Sequence, residues 1–220
     1  MNWLSRWSTA LLALVLVGCT TSPVPPSESE GELPDPGSAV EQPQGPGNPD
    51  GSAPEGFYPA DTTTGIAEVD NVLKAIGSLD LAKLESLIAF SEVECTTETH
   101  GMPGLPRCQE NEADGTPIQV FPTATCNINY LRSTAEVSQM LKGRLNEPRY
   151  VYAVYRDTEK LGDTELAYAI VIARSLTDNQ TQTIYLDSSG AIRQWYGGCD
   201  TLPSAAVPEG VEYILAPKSQ

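Results

Sequence analysis

The side chains best suited to chemistry in this sequence are its five cysteines, Cys19, Cys95, Cys108, Cys126 and Cys199. A thiol can accept a lipid chain, ligate a metal or form a disulfide, and its surroundings decide which. No Cys-x-x-Cys pair occurs and the chain has one histidine, so the pattern disfavours a Cys/His zinc site. Acylation and disulfide formation remain as the chemistries to consider.

Cys19 ends the tetrapeptide Leu16-Val17-Gly18-Cys19, which closes the apolar run at residues 10–17. A run this short cannot cross about 30 Å of hydrocarbon as a helix, whereas an export signal needs only about 7–15 apolar residues. The tetrapeptide resembles the lipobox of bacterial lipoproteins. The resemblance implies a signal peptide over residues 1–18, a lipid on Cys19 and an extracytoplasmic protein anchored to the bacterial cell membrane. The alternative is an ordinary secretory signal with a cysteine nearby by chance.

The four other cysteines then predict two disulfides in an oxidising compartment, with three ways of pairing them. Cys95 and Cys108 lie 13 residues apart around a segment rich in glycine and proline. The surrounding segment, residues 91–127, is long and shows little periodic pattern of apolar residues. A disulfide between Cys95 and Cys108 is the economical explanation of how such a segment is held in place. This pairing, which we favour, leaves Cys126 to join Cys199.

Residues 19–56 are dominated by proline, glycine, serine and acidic residues and contain no Lys or Arg. Such a segment cannot bury enough apolar surface to offset its ordering entropy, which predicts a disordered tether. The net charge of the chain is −16, which disfavours nucleic acid and anionic lipid headgroups as partners. Residues 57–220 are long enough for a single domain with one core.

Apolar residues at helical spacing predict three helices in this domain, over residues 66–76, 81–88 and 134–145. Threonines 62–64 offer caps for the first helix, Asp80 for the second, and Ser133 with Glu136 forms a capping box for the third. Segment 91–127 is expected to be irregular apart from the start of a strand at residues 92–96.

The period changes to two after Pro148, which predicts four strands, over residues 150–156, 166–175, 181–187 and 191–196. Residues 166–173 are apolar on both faces and are expected at the centre of the sheet. A tight turn is predicted at residues 188–190, and residues 211–215 suggest a short edge strand.

The element order is α+β. The opening helices (NVLKAIGSLDLAKLESLI), the third helix and the strands together resemble the nuclear-transport-factor-2-like superfamily, the cystatin-like cone that includes ketosteroid isomerase. The resemblance implies N-terminal helices on a curved antiparallel sheet of four to five strands, a pocket between them, and homodimerisation. The insertion between Cys95 and Cys126 departs from the superfamily pattern.

The isomerases place an aspartate base opposite hydrogen-bond donors in this pocket, but no such set can be assigned here. Asp157, Asp163 and Asp187 are expected at strand ends or turns as solvated carboxylates. Seven aromatic residues on the strands predict cross-strand packing, with a pocket lining as the alternative: Tyr150, Tyr152, Tyr155, Tyr168, Tyr185, Trp195 and Tyr196.

Two further candidates are His100 and the acidic group Glu110, Glu112 and Asp114. A loop histidine without an identifiable partner is more often solvated than catalytic. The acidic group fails the calcium-loop template, because Phe121 stands where the bidentate glutamate is required. We therefore expect a solvated acidic loop.

The sequence thus assigns no catalytic, cofactor-binding or metal-binding residue. The favoured hypothesis is a membrane-anchored lipoprotein whose domain binds a small molecule or an envelope protein without catalysis. The alternatives are a ketosteroid-isomerase-like enzyme, and a structural accessory domain with no ligand.

Overall fold

A computed structural model of the chain describes residues 52–98, 104–161 and 164–219. The predicted signal peptide, Cys19, most of the tether, His100 and Asp163 lie outside these ranges. The described ranges form helices and a large, mostly antiparallel sheet, which confirms the α+β class.

The α-helices of these ranges are α1 (Ala67–Gly77), α2 (Leu81–Leu87) and α3 (Thr134–Arg144). Asp80 caps α2 and the Ser133–Glu136 capping box precedes α3, both as predicted. The prediction that a threonine caps α1 is wrong. The N-cap residue is Ile66, and no side chain makes a capping hydrogen bond at this end of the helix. Instead Asp70 Oδ1 accepts hydrogen bonds from the backbone and hydroxyl of Thr64, at 2.6 and 2.7 Å.

The described part of the sheet has nine strands: β1 (Ser91–Glu94), β2 (Pro117–Ala124), β3 (Ile128–Leu131), β4 (Tyr150–Arg156), β5 (Lys160–Leu161), β6 (Thr164–Ala173), β7 (Gln182–Asp187), β8 (Ile192–Gly197) and β9 (Tyr213–Leu215). The order is β1-β2-β8-β7-β6-β4-β9, with β3 on β2 and β5 on β6. The predicted meander of β4, β6, β7 and β8 is present, with β6 in the interior and β9 at one edge.

The predicted count of four to five strands is too low, because segment 91–127 is not irregular throughout. Its strand β2 pairs with β1 over residues 117–120 and with β3 over residues 121–124. Each partner is only four residues long, so neither shows a readable alternation. The sheet is also not wholly antiparallel, since Thr123 and Ala124 of β2 pair in parallel with Trp195 and Tyr196 of β8.

The helices bury their apolar faces against one face of the sheet. Val72, Leu73 and Leu141 are fully buried there, together with Ile184 and Trp195 from the sheet. The opposite face carries Tyr155 and Val171, which pack against Val207 and Val211 of the C-terminal segment. Among the described residues, no helix has the length and hydropathy of a membrane span.

Candidate functional site

The cysteines of the domain form two disulfides, Cys95–Cys108 and Cys126–Cys199, which is the pairing favoured from the sequence. Their Cα atoms are 4.9 and 4.7 Å apart, within the ordinary range. The second bridge joins the end of β2 to the residues after β8, 73 positions later. The disulfides indicate a location outside the cytoplasm.

One acid of the loop, Glu112, is tied into the protein, whereas Asp114 is exposed, as expected. Glu112 accepts hydrogen bonds from Arg132 Nη1 at 2.8 and 2.9 Å and from the backbone of Gln109 at 2.7 Å. The Gln109 amide first and Arg132 second hold the pKa of Glu112 below its usual value. Glu112 also lies beside Cys95 and Cys108, but these sulfurs are bonded to each other and are no longer thiolate ligands. Glu110 is exposed, as expected.

The buried carboxylates of the described ranges are Asp157, Asp178 and Asp187, and each accepts hydrogen bonds from its neighbours. The expectation that Asp157 and Asp187 are solvated is therefore wrong. Asp187 Oδ1 closes the β7–β8 turn by accepting from the backbone of Ser189 and Ala191, while its Oδ2 pairs with Arg193 at 2.7 Å. Asp178 and Asp187 each accept several hydrogen bonds and hold local structure together, whereas Asp157 accepts one at Oδ1, from the backbone of Glu159 at 2.8 Å.

The strand aromatics pack against one another in part. The rings of Tyr185 and Tyr196 meet edge to face at 5.6 Å on neighbouring strands, as the cross-strand prediction requires. Tyr155 is 1% exposed under the C-terminal segment. Burial raises the pKa of Tyr155, and burial followed by Asp157 raises the pKa of Tyr185 to about 12.

A cleft of about 780 Å³ lies beside α3, at the end of the sheet where β2 and β8 meet. Its walls come from residues 123–126, residues 129–131, one side of α3, and residues 197–200. Pockets that bind small molecules typically measure about 300–1,000 Å³. Both cysteines of the Cys126–Cys199 disulfide line the cleft, so a covalent bond fixes the distance between two of its walls.

Arg144 is the last residue of α3 and lines this cleft. Leu141 and Leu145 on either side of it are anchored in the core, which fixes the rotation of the last helical turn. Arg144 Nη2 consequently donates to Thr123 Oγ1 at 2.7 Å and to the Ala124 carbonyl at 2.5 Å. Its Nη1 is buried against Gly197; among the residues that the structure describes, this atom has no hydrogen-bond partner and no carboxylate forms an ion pair with Arg144.

A closed ring of hydrogen bonds holds this arginine in place. Thr123, which accepts from Arg144, donates to the Trp195 carbonyl at 2.8 Å, and Trp195 Nε1 donates to Gln182 Oε1 at 2.7 Å. Gln182 Nε2 then donates back to the Arg144 carbonyl at 3.3 Å. The guanidinium is thus pre-organised before any ligand arrives.

Arg149 lines the same cleft and is 6% exposed. Its Nη1 donates to Asp178 Oδ2 at 3.1 Å, while its Nε is buried and has no partner within the described ranges. Asp178 also accepts from Arg174 Nη2 at 3.0 Å, so a single carboxylate serves two arginines. Burial lowers the pKa of Arg149, and burial together with the Arg149 charge lowers the pKa of Arg144 to about 10. Both side chains remain cations at neutral pH.

A smaller hollow of about 370 Å³ borders Arg107 and Arg132 beside the Cys95–Cys108 loop. Its Arg132 already pairs with Glu112 and donates to the Arg107 carbonyl. The Arg107 side chain is exposed, so this hollow contains no buried guanidinium comparable with that of Arg144.

Sequence reasoning missed Arg144 and Arg149. A basic residue in the last turn of a helix is ordinary, because it complements the helix dipole. The one available signal was two arginines five positions apart in an acidic chain of net charge −16.

The chain matches no protein-family model, no curated protein and no solved structure.

Proposed function

We propose that this chain is an extracytoplasmic lipoprotein, anchored through Cys19, whose domain binds a ligand in the α3 cleft without catalysing a reaction. The observation that carries the proposal is that a cleft of ligand size is lined by the pre-organised Arg144, which has no carboxylate partner among the described residues. An arginine held without a counter-ion costs stability, so its retention favours a binding role.

The space between the helices and the sheet gives less support to an isomerase-like role. The described core there is packed with large apolar side chains, including Leu73, Ile170 and Trp195, all at 0% exposure. An acid–base enzyme would need a carboxylate free to take a proton, and Asp157, Asp178 and Asp187 are each engaged in structural hydrogen bonds. The curved cone and homodimerisation implied by the superfamily resemblance stay predictions.

The test is chemical-shift mapping of the full chain with a library of small carboxylates, phosphates, amines and neutral sugars. Binding in the cleft should shift the amides of Gly143, Gly197 and Gly198, which line it on two sides. The Gly115 amide lies in the loop before β2, outside that lining, and should not respond. Shifts confined to other regions, or no shifts at all, would contradict a ligand site in this cleft.

A further inference from the structure

We infer that the Cys126–Cys199 disulfide is a redox-sensitive latch on the α3 cleft, which a dithiol reductant opens while the Cys95–Cys108 disulfide stays closed. The inference rests on the proposed function for its consequence, because opening the latch changes the walls of the ligand site and so regulates it. Its test uses no ligand, so the failure of one proposal is distinguishable from the failure of the other.

The two disulfides differ first in exposure. Cys126 and Cys199 are both exposed and both line the cleft, whereas Cys95 is 1% exposed and Cys108 is half-buried. Thiol–disulfide exchange begins when a thiolate reaches one of the two sulfurs, so its rate depends on access. A dithiol in solution or on another protein therefore meets the Cys126–Cys199 bridge first.

Oxygen atoms lie close to the sulfurs of the Cys95–Cys108 bridge. Glu112 Oε2 and the Ala113 carbonyl oxygen are each 3.7 Å from Cys95 Sγ, and the same carbonyl oxygen is 3.3 Å from Cys108 Sγ. Negative charge at these distances disfavours both the approach of a thiolate and the release of one. This bridge is therefore protected by its charges as well as by its burial.

The sulfurs of the Cys126–Cys199 bridge have no such neighbour. In the part of the chain that the structure describes, no carboxylate oxygen lies within 4.8 Å of both of them. Asp200 is the next residue in the chain, and its Oδ1 accepts a hydrogen bond from Asn179 Nδ2 at 2.9 Å. Exposure and charge thus favour reduction of the same bridge.

The Cys126–Cys199 bridge holds the tip of the β2–β3 hairpin, residues 125–127, against the residues after β8. Strands β2 and β8 pair at two positions, Thr123 with Trp195 and Ala124 with Tyr196, and this pairing ends before the tip. Within the described ranges, no hydrogen bond or ion pair joins residues 125–127 to residues 198–200. The disulfide therefore fixes the tip, and its reduction frees the tip to move away from the opposite wall of the cleft.

Contacts before the tip keep the two strands together after reduction. Thr123 Oγ1 donates to the Trp195 carbonyl at 2.8 Å, and Arg144 Nη2 donates to the Ala124 carbonyl at 2.5 Å. Phe121 is 0% exposed and anchors β2 in the core. None of these contacts involves a cysteine, so we expect reduction to open the cleft without unfolding the sheet.

The chemical step is thiol–disulfide exchange with a dithiol. One thiolate of the reductant attacks a sulfur of the bridge, which forms a mixed disulfide and releases the other cysteine as a thiolate. The second thiol of the reductant then displaces the remaining cysteine and closes a disulfide within the reductant. In total one protein S–S bond breaks, two electrons and two protons pass to Cys126 and Cys199, and the dithiol is oxidised.

The experiment titrates dithiothreitol into the full chain after any free thiol has been blocked with unlabelled N-ethylmaleimide. New thiols are alkylated with an isotope-labelled reagent and located by peptide mapping. Cys126 and Cys199 should be labelled together at a reductant concentration about tenfold below that needed for Cys95 and Cys108.

Amide chemical shifts, followed in the same titration, report on the cleft. The Gly197 and Gly198 amides line it and should shift at the lower reductant concentration. The Gly115 amide donates to the Cys95 carbonyl at 2.9 Å and should stay unchanged until the Cys95–Cys108 bridge is reduced. Oxidised glutathione should restore the starting spectrum.

Two double variants are the matched controls. In Cys95→Ser/Cys108→Ser, the reductant should still shift the glycine amides of the cleft. In Cys126→Ser/Cys199→Ser, the shifted positions should be present from the start and the reductant should not move them. If a double variant fails to fold, the titration of the unmodified chain still decides the question.

Labelling of Cys95 and Cys108 first, or at the same reductant concentration, would overturn the inference. Cleft amides that ignore reduction of the Cys126–Cys199 bridge would also overturn it, as would unfolding of the domain at that step, since the bridge would then be a structural brace. Each of these results leaves the proposed ligand site standing. A cleft that opens on reduction but binds nothing in the small-molecule screen would refute the proposed function and leave the latch.

Discussion

At the residue scale, one buried carboxylate serves two arginines, of which Arg149 lines the cleft and Arg174 lies outside its lining. Asp178 is 1% exposed at its side chain and accepts from both Arg149 and Arg174. Asp178→Asn would leave Arg149 buried with no carboxylate partner, and breaking a buried pair in this way costs roughly 3–5 kcal/mol. We expect urea denaturation to show a loss of that size in the free energy of unfolding. The matched control is Glu212→Gln, which breaks an exposed pair with Arg156 and should cost less than about 1 kcal/mol. An Asp178→Asn chain as stable as the control would contradict this account.

The same carboxylate should set part of the acid sensitivity of the domain. Burial alone would raise the pKa of Asp178, but hydrogen bonds from the side chain and backbone of Arg174 and from the Gln180 amide outweigh it and lower the pKa. Because the folded pKa lies below the unfolded value of about 3.9, the stabilisation is complete above that pH and is lost as the pH falls through the folded value. The stability gap between the unmodified chain and Asp178→Asn should therefore narrow below about pH 4. Urea midpoints at pH 7 and pH 3 measure it, and a gap of constant size would show that Asp178 is not the titrating group.

At the scale of elements, the β7–β8 hairpin meets α1 through a glycine. Gly190 has φ +82°, and a Cβ there would lie 2.9 Å from Glu68 Cβ. Gly190→Ala combines a left-handed backbone with a collision against the helix, so we expect a loss of about 2–4 kcal/mol in thermal or urea unfolding. Gly115→Ala is the control, because Gly115 has φ +79° but nothing within 4 Å of its Cβ position. It should lose only about 1 kcal/mol, and equal losses at both glycines would show that contact with α1 is unimportant.

The elements predicted from the sequence are those specified by nearby residues. The capping box of α3 spans Ser133 to Glu136, and β4, Tyr150–Arg156, is a run of seven residues rich in tyrosine and valine, which favour strands. The cleft has no such local signal. Thr123 reaches the Trp195 carbonyl across 72 positions, and Arg144 reaches Thr123 across 21. Only the folded sheet brings these residues together, so no single segment of the sequence predicts the cleft or the position of Arg144 in it.

The two disulfides should differ in what they do for the site. In the chain-entropy model the Cys95–Cys108 bridge contributes about 3 kcal/mol and the Cys126–Cys199 bridge, which closes the longer loop, about 4 kcal/mol. Replacing Cys126 and Cys199 together by serine should lower the free energy of unfolding by up to about 4 kcal/mol. It should also weaken the binding of small molecules in the cleft, since both cysteines line it. Replacing Cys95 and Cys108 together should destabilise the domain but leave the affinity of the folded protein unchanged. Equal effects on binding from the two double variants would contradict this division.

At the scale of the whole molecule, the remaining prediction concerns how the chain is held at the membrane. A net charge of −16 opposes attachment to anionic headgroups, so membrane association should depend on acylation of Cys19. One acyl chain gives only marginal binding, whereas the diacylglyceryl group implied by the lipobox resemblance anchors stably. Labelled fatty acid should therefore enter the unmodified chain and a Ser22→Ala control, and both should fractionate with membranes. Cys19→Ser should carry no label and be released to the soluble fraction. Cys19 would be excluded as the anchor if the unmodified chain took up no label, or if the Cys19→Ser chain stayed with the membrane. The proposal of a ligand site in the cleft does not depend on this result and is tested by ligand binding.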